Sequence, residues 1–452
     1  MAKIHRLTPF PVPTRELYDF HTREGAFERA GPPWKPAQVL KRPASLESGD
    51  LVFQIRMGPI PFTWVARHSD HIEGQQFRDT LASFFPGLLS WTHVHRMRPG
   101  PDASTSVLED DVTFRAWPGM TWLIRAEFER MFDFRARRLP WDAQRHAAWS
   151  RPVRRVAITG ASGMVGTALA AFLSSGGHEV HRLVRRPARH GQREIFWNPD
   201  SGEIDAASLE GFDAVVHLAG TTVATRWTER AMRDIRESRV KGTSLLARTL
   251  AGLSRPPRML ISASGIGIYG KDRGTEELTE ASTLGTDFLA EVGQAWEAAA
   301  DPARQAGIRV VHPRIGMVLS PSGGALAKML PAFLAGGGGR LGSGRQMISW
   351  ISLEDLVGVM LFCIAREDVS GPINAVTPHA VSNAEFTRTL GRVLKRPTIF
   401  PVPGFALRLI FGGMADALLL GGQQARPAAL QQAGFPFLLP QLEQALRHEL
   451  GR

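Results

Sequence analysis

The stretch RRVAITGASGMVG, residues 154–166, decides the fold. A short apolar run of β-prone residues leads straight into glycines spaced G-x-x-G-x-x-G, at Gly160, Gly163 and Gly166. A helical pattern follows over residues 167–175, and a second apolar strand comes next. This order of strand, turn, helix and strand predicts a βαβ unit that binds a dinucleotide.

Each glycine has a separate role in such a turn. Gly160 adopts a backbone conformation closed to residues with a Cβ, Gly163 lets the main chain approach a pyrophosphate, and Gly166 lets the helix pack close to its strand. The helix N-terminus favours the anion. The competing interpretation is a structural turn, since the chain has 45 glycines. We expect cofactor contacts from these residues of the turn: Gly160, Ser162, Gly163, Met164, Val165 and Gly166.

Length and composition describe a globular protein of two or three domains. The 452 residues exceed one ordinary domain, and 43% are hydrophobic and 21% charged. The net charge is +11, but the basic residues are scattered, so we expect no nucleic-acid partner. The single cysteine, Cys363, excludes an internal disulfide and a C-x-x-C site. We therefore expect a cytoplasmic location and no bound metal.

No segment of the sequence is typical of membrane insertion. The opening residues MAKIHRLTPFPVP lack the apolar core of a signal peptide. The longest apolar stretch, residues 405–420, contains Arg408 and Asp416. We expect no membrane association.

Residues 1–150 hold seven of the eleven tryptophans and show strand-like alternation followed by a helical pattern over residues 122–138. The segments EGAFERAGPPW, PFTWVARH, LEDDVTF and FDFRARRLPWDAQRH resemble the START-like, helix-grip family that includes polyketide cyclases. That resemblance implies an α+β domain enclosing an apolar ligand; the alternative is a plain aromatic core. We assign no chemistry to four histidines of this region: His68, His93, His95 and His146.

A polar, proline-bearing join, SRPVRR, predicts a domain boundary near residue 150, followed by repeating β and α segments. Arg185 and Arg186 follow the second strand, where NAD-binding chains tend to carry an acid for the ribose hydroxyls. Arginine attracts a 2′-phosphate, so the pair favours NADP over NAD. The alternative is a pair of ordinary surface arginines.

Three later strands place small and polar residues at one edge of the predicted sheet. The strand FDAVVHLAGT ends in Leu218, Ala219 and Gly220, and the long helix after it offers Arg239 to the cofactor. RMLISASGIGIYG carries Ser264 at its carboxyl end, and RVVHPRIGMVLSPSGG follows on the same edge.

These motifs, T-G-x-x-G-x-x-G, H-L-A-G, S-x-S with Y-G, and R-x-G-x-V-L, resemble an extended-type short-chain dehydrogenase/reductase. More narrowly, AEFTRTLGRVLKRP, PVPGFALRL, MADALLL and GSGRQMISWISLEDL resemble its atypical, sugar-nucleotide-epimerase-like branch, often labelled cell-division inhibitors. A START-like domain fused in front also occurs in that branch. The resemblance implies a Rossmann-type, doubly wound parallel sheet.

Hydride transfer in that superfamily uses a tyrosine as acid and base, a lysine four residues later, and a serine that polarises the carbonyl. The chain has two tyrosines and no Y-x-x-x-K; Phe288 and Val292 stand at the matching positions. Ser264 matches the family serine and is the single catalytic candidate. A few other groups are candidates to replace the pair or to bind a ligand, and a structural role is the alternative for each: Tyr269, Asp287, Glu291, Arg314, Gln346 and Trp350.

The sequence thus predicts a START-like domain at 1–150, an NADP-binding Rossmann domain at 151–375 and a small α-rich lobe at 376–452. Asn383 is expected to cap a helix of the lobe, and the glycine-rich stretch AGGGGRLGSGRQ before it is expected to be a mobile loop.

Two functions stay open. One is an NADP-dependent epimerase or oxidoreductase with a non-standard active site and an unknown small-molecule substrate. The other is a non-catalytic NADP-binding sensor or carrier with an apolar ligand in its N-terminal domain. The oligomeric state is unknown.

Overall fold

The computed structural model describes residues 1–43, 45–57 and 60–452. Contacts within the chain define two compact units. The first comprises residues 1–152 and 171–178 with Gly451, and the second comprises residues 153–170 and 179–450 with Arg452. The division at residue 152 lies beside the boundary expected near residue 150, and residues 376–450 belong to the second unit.

The first unit is an antiparallel sheet with a long helix. Its elements in chain order are β1 (Ala2–Phe10), α1 (Thr14–Thr22), α2 (Ala26–Ala30), β2 (Ala37–Lys41), β3 (Gly49–Met57), β4 (Ile60–Ile72), β5 (Gln76–Leu81), β6 (Leu88–Pro99), β7 (Ser106–Ala116) and α3 (Thr121–Trp149). The strands pair in the order β1-β7-β6-β5-β4-β3-β2. Alternate residues of β6 point inward and are buried, as the period of a strand requires: Trp91, His93, His95 and Met97. The START-like family of this unit stays a prediction.

Helix α3 is longer than predicted. The expected helix ended at Arg138, whereas α3 continues through Pro140 to Trp149. Proline removes one N–H group from the helix, but Leu139 and Ala143 beside it are buried in the unit's core. Tertiary packing therefore outweighs the local cost of the proline.

The second unit alternates strands and helices. Its elements in chain order are β8 (Arg155–Thr159), α4 (Met164–Ser175), β9 (Glu179–Val184), β10 (Glu194–Asn198), β11 (Glu203–Ile204), β12 (Ala214–His217), α5 (Glu229–Ala251), β13 (Met259–Ser262), β14 (Ser264–Gly265), β15 (Glu277–Leu278), α6 (Phe288–Ala298), α7 (Asp301–Gln305), β16 (Arg309–Ile315), β17 (Met317–Leu319), α8 (Gly324–Leu334), β18 (Met347–Ile348), β19 (Trp350–Ser352), α9 (Leu353–Ala365), β20 (Gly371–Ala375), β21 (Val381–Ser382), α10 (Asn383–Leu394), α11 (Gly404–Phe411), β22 (Gln424–Ala425), α12 (Ala428–Gln432) and α13 (Leu442–Leu450). The residues of α4 from Ala171 onward cluster with the first unit.

The main sheet of this unit confirms the predicted Rossmann-type arrangement. Its strands lie in the order β10-β9-β8-β12-β13-β16-β20 with parallel pairing, and β11 adds an antiparallel edge. Val156, Ala157 and Ile158 of β8 are fully buried, as expected of strands covered on both faces. The chain order reverses between β9 and β12, on either side of β8. Open α/β sheets bind ligands at such a switch point.

Two predicted boundaries were wrong near this point. Helix α4 begins at Met164 rather than at residue 167, because the left-handed Gly160 completes the turn early. Strand β12 ends at His217, although the sequence pattern extended it to Thr221. After His217 the chain leaves the sheet, because the N–H groups of Leu218 and Ala219 donate to the Thr159 hydroxyl.

The residues predicted as an α-rich lobe carry α10 to α13, and two details differ from expectation. The helix cap is Ser382, whose Oγ accepts from the N–H of Glu385; Asn383 instead accepts from Leu341 N–H at 2.8 Å. That bond and the backbone pairing of Gly342 N–H with Val402 O fasten the glycine-rich loop, so it is tied to neighbouring chain rather than unsupported. Cys363 lies buried in α9.

None of the helices in the described residues has both the length and the apolar character that crossing a bilayer requires.

A buried ion pair in the first unit yields a stability prediction. Arg29 donates from Nε and Nη2 to the two carboxylate oxygens of Asp142, each at 2.6 Å, and both residues are almost fully buried. Asp142→Ala leaves a buried cation without its carboxylate, so we expect it to lower the free energy of unfolding by about 3 kcal/mol. Urea unfolding followed by tryptophan fluorescence measures the change.

The matched control is Asp50→Ala, which removes the carboxylate of the exposed Arg67–Asp50 pair. We expect no measurable shift of the urea midpoint, because solvent screens that pair. Equal midpoints for Asp142→Ala and the unaltered protein contradict the assignment of a stabilising buried pair.

Candidate functional site

The glycine turn after β8 is held by backbone contacts that leave no room for side chains. Gly160 has φ +66°, and a Cβ there would lie 2.8 Å from the carbonyl carbon of Leu218. A Cβ at Gly166 would lie 2.2 Å from Gly160 O. Gly163 differs, since a Cβ there would meet only Gly160 O, at 3.3 Å. Two of the glycines are thus required by the fold, and the third keeps a surface open.

That open surface consists of backbone N–H groups. Ser162 and Gly163 are exposed, and α4 begins at the next residue. The N–H groups in the first turn of a helix, here Met164, Val165 and Gly166, have no acceptor within the helix. Together with the helix dipole they favour an anion.

The end of β12 lies directly beside this turn. Thr159 Oγ1 contacts His217 Nδ1 at 2.7 Å and accepts from the N–H groups of Leu218, at 3.1 Å, and Ala219, at 3.3 Å. Gly220 follows on the exposed side. The predicted segment 218–220 is therefore fixed against the glycine turn at the carboxyl edge of the sheet.

Thr159 and His217 are site residues whose structural role the sequence analysis did not assign. Burial, reinforced by the charge of Arg239, lowers the pKa of His217 to about 4, so the ring is neutral at pH 7. Its Nε2 is buried without a hydrogen-bond partner among the described residues. Both residues lie in motifs that the sequence analysis quoted, T-G and H-L-A-G. Their contact could be recognised only from the strand register, which sets Thr159 opposite His217.

Arg239 of α5 lies next to this segment. Its Nη1 donates to Thr221 O at 2.9 Å and to Ile235 O at 3.0 Å, and its guanidinium lies 4.9 Å from the ring centre of Trp296. Burial lowers its pKa to about 10, which still leaves it charged. Arg239 therefore supports the loop after β12 and brings a positive charge to this edge.

The two arginines after β9 differ in their surroundings. Both are exposed. Arg186 donates to both carboxylate oxygens of Glu194 and to Pro187 O. Within the described ranges, no hydrogen bond or ion pair involves Arg185. Arg185 is thus the better placed of the two to meet an added phosphate.

Ser264 lies at the same sheet edge, on β14, opposite Arg314 of β16. It is 4% exposed, and its Oγ is buried without a partner among the residues described. An unpaired buried hydroxyl costs about 1 to 3 kcal/mol, so a group that bonds to it gains affinity there.

The positions of the missing tyrosine and lysine are filled by apolar packing. The Phe288 ring lies edge-on to Trp227 at 5.1 Å, and Val292 is buried. Asp287 caps α6, accepting from Leu289 and Ala290 N–H, so it does not serve as a free proton shuttle as the sequence suggested. Glu291 is exposed on the same helix.

Tyr269 and Arg314 belong to a buried network rather than to a ligand site. Tyr269 donates its hydroxyl proton to Asn374 Oδ1 at 2.7 Å, and burial raises its pKa. Arg314 binds both oxygens of Glu297, each at 2.9 Å, and donates to Tyr269 Oη. The predicted anchoring of a ligand phosphate or carboxylate by Arg314 is therefore wrong, because Glu297 already occupies its fork.

The two expected ligand-facing residues after the glycine-rich loop are also structural. Trp350 is fully buried and donates from Nε1 to His379 O at 3.0 Å. Gln346 donates to Leu341 O and Leu419 O. Ser352, in the place of a family histidine, caps α9 by accepting from Asp355 N–H. Sequence position next to a loop did not reveal that these side chains turn inward.

Comparison with known proteins gives a consistent family. The model of the NAD dependent epimerase/dehydratase family matches residues 156–376, and a domain of unknown function, DUF1731, matches residues 402–449. Epimerase family protein Mb2239 of Mycobacterium bovis is 47% identical over 285 residues, covering 62% of this chain and 93% of that protein.

Two solved structures extend the likeness. The nucleoside-diphosphate sugar epimerase from Corynebacterium glutamicum is 35% identical with a TM-score of 0.82, covering 99% of this chain and 90% of that one. Human epimerase family protein SDR39U1, isoform 2, crystallised with NADPH, is 34% identical with a TM-score of 0.59, covering 65% of this chain and 98% of that one. The chain belongs to the NAD dependent epimerase/dehydratase family.

Proposed function

We propose that this protein binds NADP(H) at the carboxyl edge of the second unit's sheet and acts as an epimerase- or oxidoreductase-like enzyme without the tyrosine and lysine pair. One observation carries the proposal. Gly160, at φ +66°, closes its turn against Leu218 and accepts from Gly163 N–H, and among the described residues the N–H groups of Ser162 and of residues 164–166 have no backbone acceptor at this switch point of the sheet. The NADPH bound to the human relative supports the choice of nucleotide.

The residues present fit such a cofactor. The turn from Gly160 to Gly166 receives the pyrophosphate, and Arg185 receives the 2′-phosphate, for which it has no competing partner among the described residues. Leu218, Ala219 and Gly220, backed by Arg239, line the other side of the crevice. The unpartnered Ser264 hydroxyl lies at the same edge. Bound NADP(H) supplies a hydride donor or acceptor.

The chain's own groups then have defined tasks. Ser264 donates its hydroxyl proton to the oxygen of a carbonyl or sugar-like substrate and orients it. Phe288 and Val292 exclude water from their side of the crevice, because both are packed and apolar. Neither moves a proton, so proton transfer falls to Glu291 or to solvent. The substrate stays unidentified; a nucleoside-diphosphate sugar, after the Corynebacterium protein's name, is the first class to test.

The second candidate function is a non-catalytic NADP(H)-binding sensor or carrier. The apolar filling at Phe288 and Val292 and the engagement of Tyr269 with Asn374 favour it, since no buried acid or base faces the crevice from those positions. For the first unit we retain the helix-grip, START-like interpretation with an apolar ligand. Its order of elements, β1-α1-α2-β2 to β7-α3, supports this. We also retain a cytoplasmic location and no nucleic-acid or membrane partner.

Gly163→Val tests the phosphate site directly. A Cβ there would meet only Gly160 O, at 3.3 Å, which a small backbone shift relieves, and the larger side chain covers the exposed N–H groups. We expect the Kd for NADPH to rise at least about tenfold, measured by quenching of tryptophan fluorescence or calorimetry. Gly252→Val, at the exposed end of α5 on the opposite edge of the sheet, is the control. Unchanged NADPH affinity in Gly163→Val, or no affinity in the unaltered protein, rules out the site.

Arg185→Ala tests the choice between NADP and NAD. Loss of one exposed phosphate contact should raise the Kd for NADPH about tenfold and leave the Kd for NADH unchanged, because NADH lacks the 2′-phosphate. Arg248→Ala, an exposed arginine in the last turn of α5, serves as the matched control. Equal effects on both nucleotides argue against a 2′-phosphate contact.

Ser264→Ala separates the enzyme from the sensor. With UDP-glucose and a panel of carbonyl compounds as probes, we expect NADP(H)-dependent turnover in the unaltered protein and a kcat about 100-fold lower in Ser264→Ala, with NADPH affinity retained. Absorbance of NADPH and product analysis provide the measurement. Tight NADPH binding without turnover of any probe instead favours the sensor or carrier.

A further inference from the structure

Five titratable side chains form a band inside the first unit. They are His68 of β4, Asp79 of β5, His93 and His95 of β6, and Asp110 of β7, here called the His–Asp band. The strand register places them side by side. His68 lies opposite Asp79, Asp79 opposite His93, and His95 opposite Asp110. Four of them are buried, and the side chain of Asp79 is 14% exposed.

The band separates two apolar clusters. Along β6, Trp91 packs in one aromatic cluster with Trp64 and Phe132, while Met97 packs in a second one with Phe77. His93 and His95 lie between them. Burying so many polar groups within an apolar core is costly unless each is bonded or holds an ion.

Hydrogen bonds account for only part of the band. His93 Nε2 lies 2.8 Å from Asp110 Oδ1 and donates to it. His95 Nδ1 is 3.0 Å from Asp110 Oδ1, and His68 Nε2 is 3.0 Å from Asp79 Oδ1, yet His95 Nδ1 and Asp79 Oδ1 both lack a partner of hydrogen-bonding geometry. These atoms lie at ion-pair distance without the geometry of a hydrogen bond.

The separation of one pair of these atoms matches that of two ligands around a metal ion, and the third side chain lies near them. One ligand atom from each of Asp79, His93 and His95 lies within 4.8 Å of the other two. His95 Nε2 and Asp79 Oδ2 are 3.4 Å apart. Two donors bound to Zn²⁺ at tetrahedral angles lie roughly 3.3 Å from each other, given their usual bond lengths.

A fourth histidine faces the same space from α1. His21 Nδ1 lies 2.8 Å from Leu17 O, and because a carbonyl only accepts, the proton is on Nδ1 and the lone pair is on Nε2. His21 Nε2 is buried without a partner among the described residues, and the His21 ring centre lies 6.2 Å from that of His95.

We propose that Asp79, His93 and His95 bind a divalent transition metal ion, with Zn²⁺ the best match to a set of two imidazoles and a carboxylate. Asp110 orients the His93 ring, and His68 lies against the Asp79 carboxylate, the kind of support that metal ligands commonly have. Three protein ligands leave a fourth position for water. The sequence analysis expected no metal, so the proposal departs from that expectation.

A proton is the competing occupant. Burial lowers the pKa of His95, but the neighbouring carboxylates of Asp110 and Asp79 more than offset this, so its pKa is raised. A protonated His95 between two carboxylates would neutralise part of the band without a metal. Arg135 contributes a further positive charge near Asp110. Metal binding therefore has to be measured against this proton-filled state.

A second group, His5, Glu109 and Asp111, provides the matched control because it also brings three potential ligands together. It differs in that His5 is exposed and Arg96 and Arg98 pair with the carboxylates of Glu109 and Asp111. Arginine charges already balance this group, so we expect it to bind no metal tightly.

The test uses the full-length protein freed of metal with a chelator. Calorimetric titration with Zn²⁺ should give one equivalent bound per chain, and Co²⁺ should give the intense visible absorption of a four-coordinate site. His95→Gln and Asp79→Asn should each weaken Zn²⁺ binding at least about 100-fold, whereas His5→Gln should leave it unchanged. Zn²⁺ should also raise the Tm of the unaltered protein and of His5→Gln but not that of His95→Gln.

Circular dichroism shows whether the variants fold. If they do not, the Co²⁺ spectrum and the Zn²⁺ stoichiometry of the unaltered protein test the proposal without them. The proposal is overturned if the unaltered protein binds no Zn²⁺, if Co²⁺ gives only the weak spectrum of a six-coordinate ion, or if His5→Gln removes the binding. None of these results depends on NADP(H) binding by the second unit.

Discussion

The absence of side chains at Gly160 and Gly166 is the constraint on which the second unit depends. A single added carbon at Gly160 would meet the backbone of Leu218, and one at Gly166 would meet the backbone of Gly160. Strand β8, the end of β12 and helix α4 can approach one another only because both positions are bare. The same close packing leaves amides of the turn facing outward. The backbone geometry that the fold requires therefore also provides the anion-binding surface.

The sequence predicted this part of the fold because its signals are local. The strand, the glycine turn and the start of the helix lie within thirteen residues, and the spacing of the glycines indicates which backbone segments must come close. The alternation of β and α segments then fixed the parallel sheet. Element ends were predicted less well, since α4 begins and β12 ends according to bonds made by Gly160 and Thr159 rather than according to apolar pattern.

The roles of individual polar residues depended on partners that no spacing rule reveals. Arg314 is engaged by Glu297, which lies on a different element, and Trp350 turns inward to His379. Likewise the His–Asp band is brought together only by the register of four strands. Its histidines, considered one at a time in the sequence, were interpreted as isolated structural residues. Antiparallel register is set by turns and bulges, of which β4 and β5 contain one, and such shifts are not readable from alternation alone.

The apolar pair Phe288 and Val292 limits what substitutions can install at these two positions. Val292 is buried, and Phe288 packs against Trp227. Both positions are therefore apolar, whereas the superfamily's hydride transfer uses a tyrosine hydroxyl and a lysine ammonium there. A lysine introduced at buried position 292 would have no counter-charge and a large desolvation penalty. Installing an acid–base couple here would thus demand several coordinated changes at once rather than two substitutions.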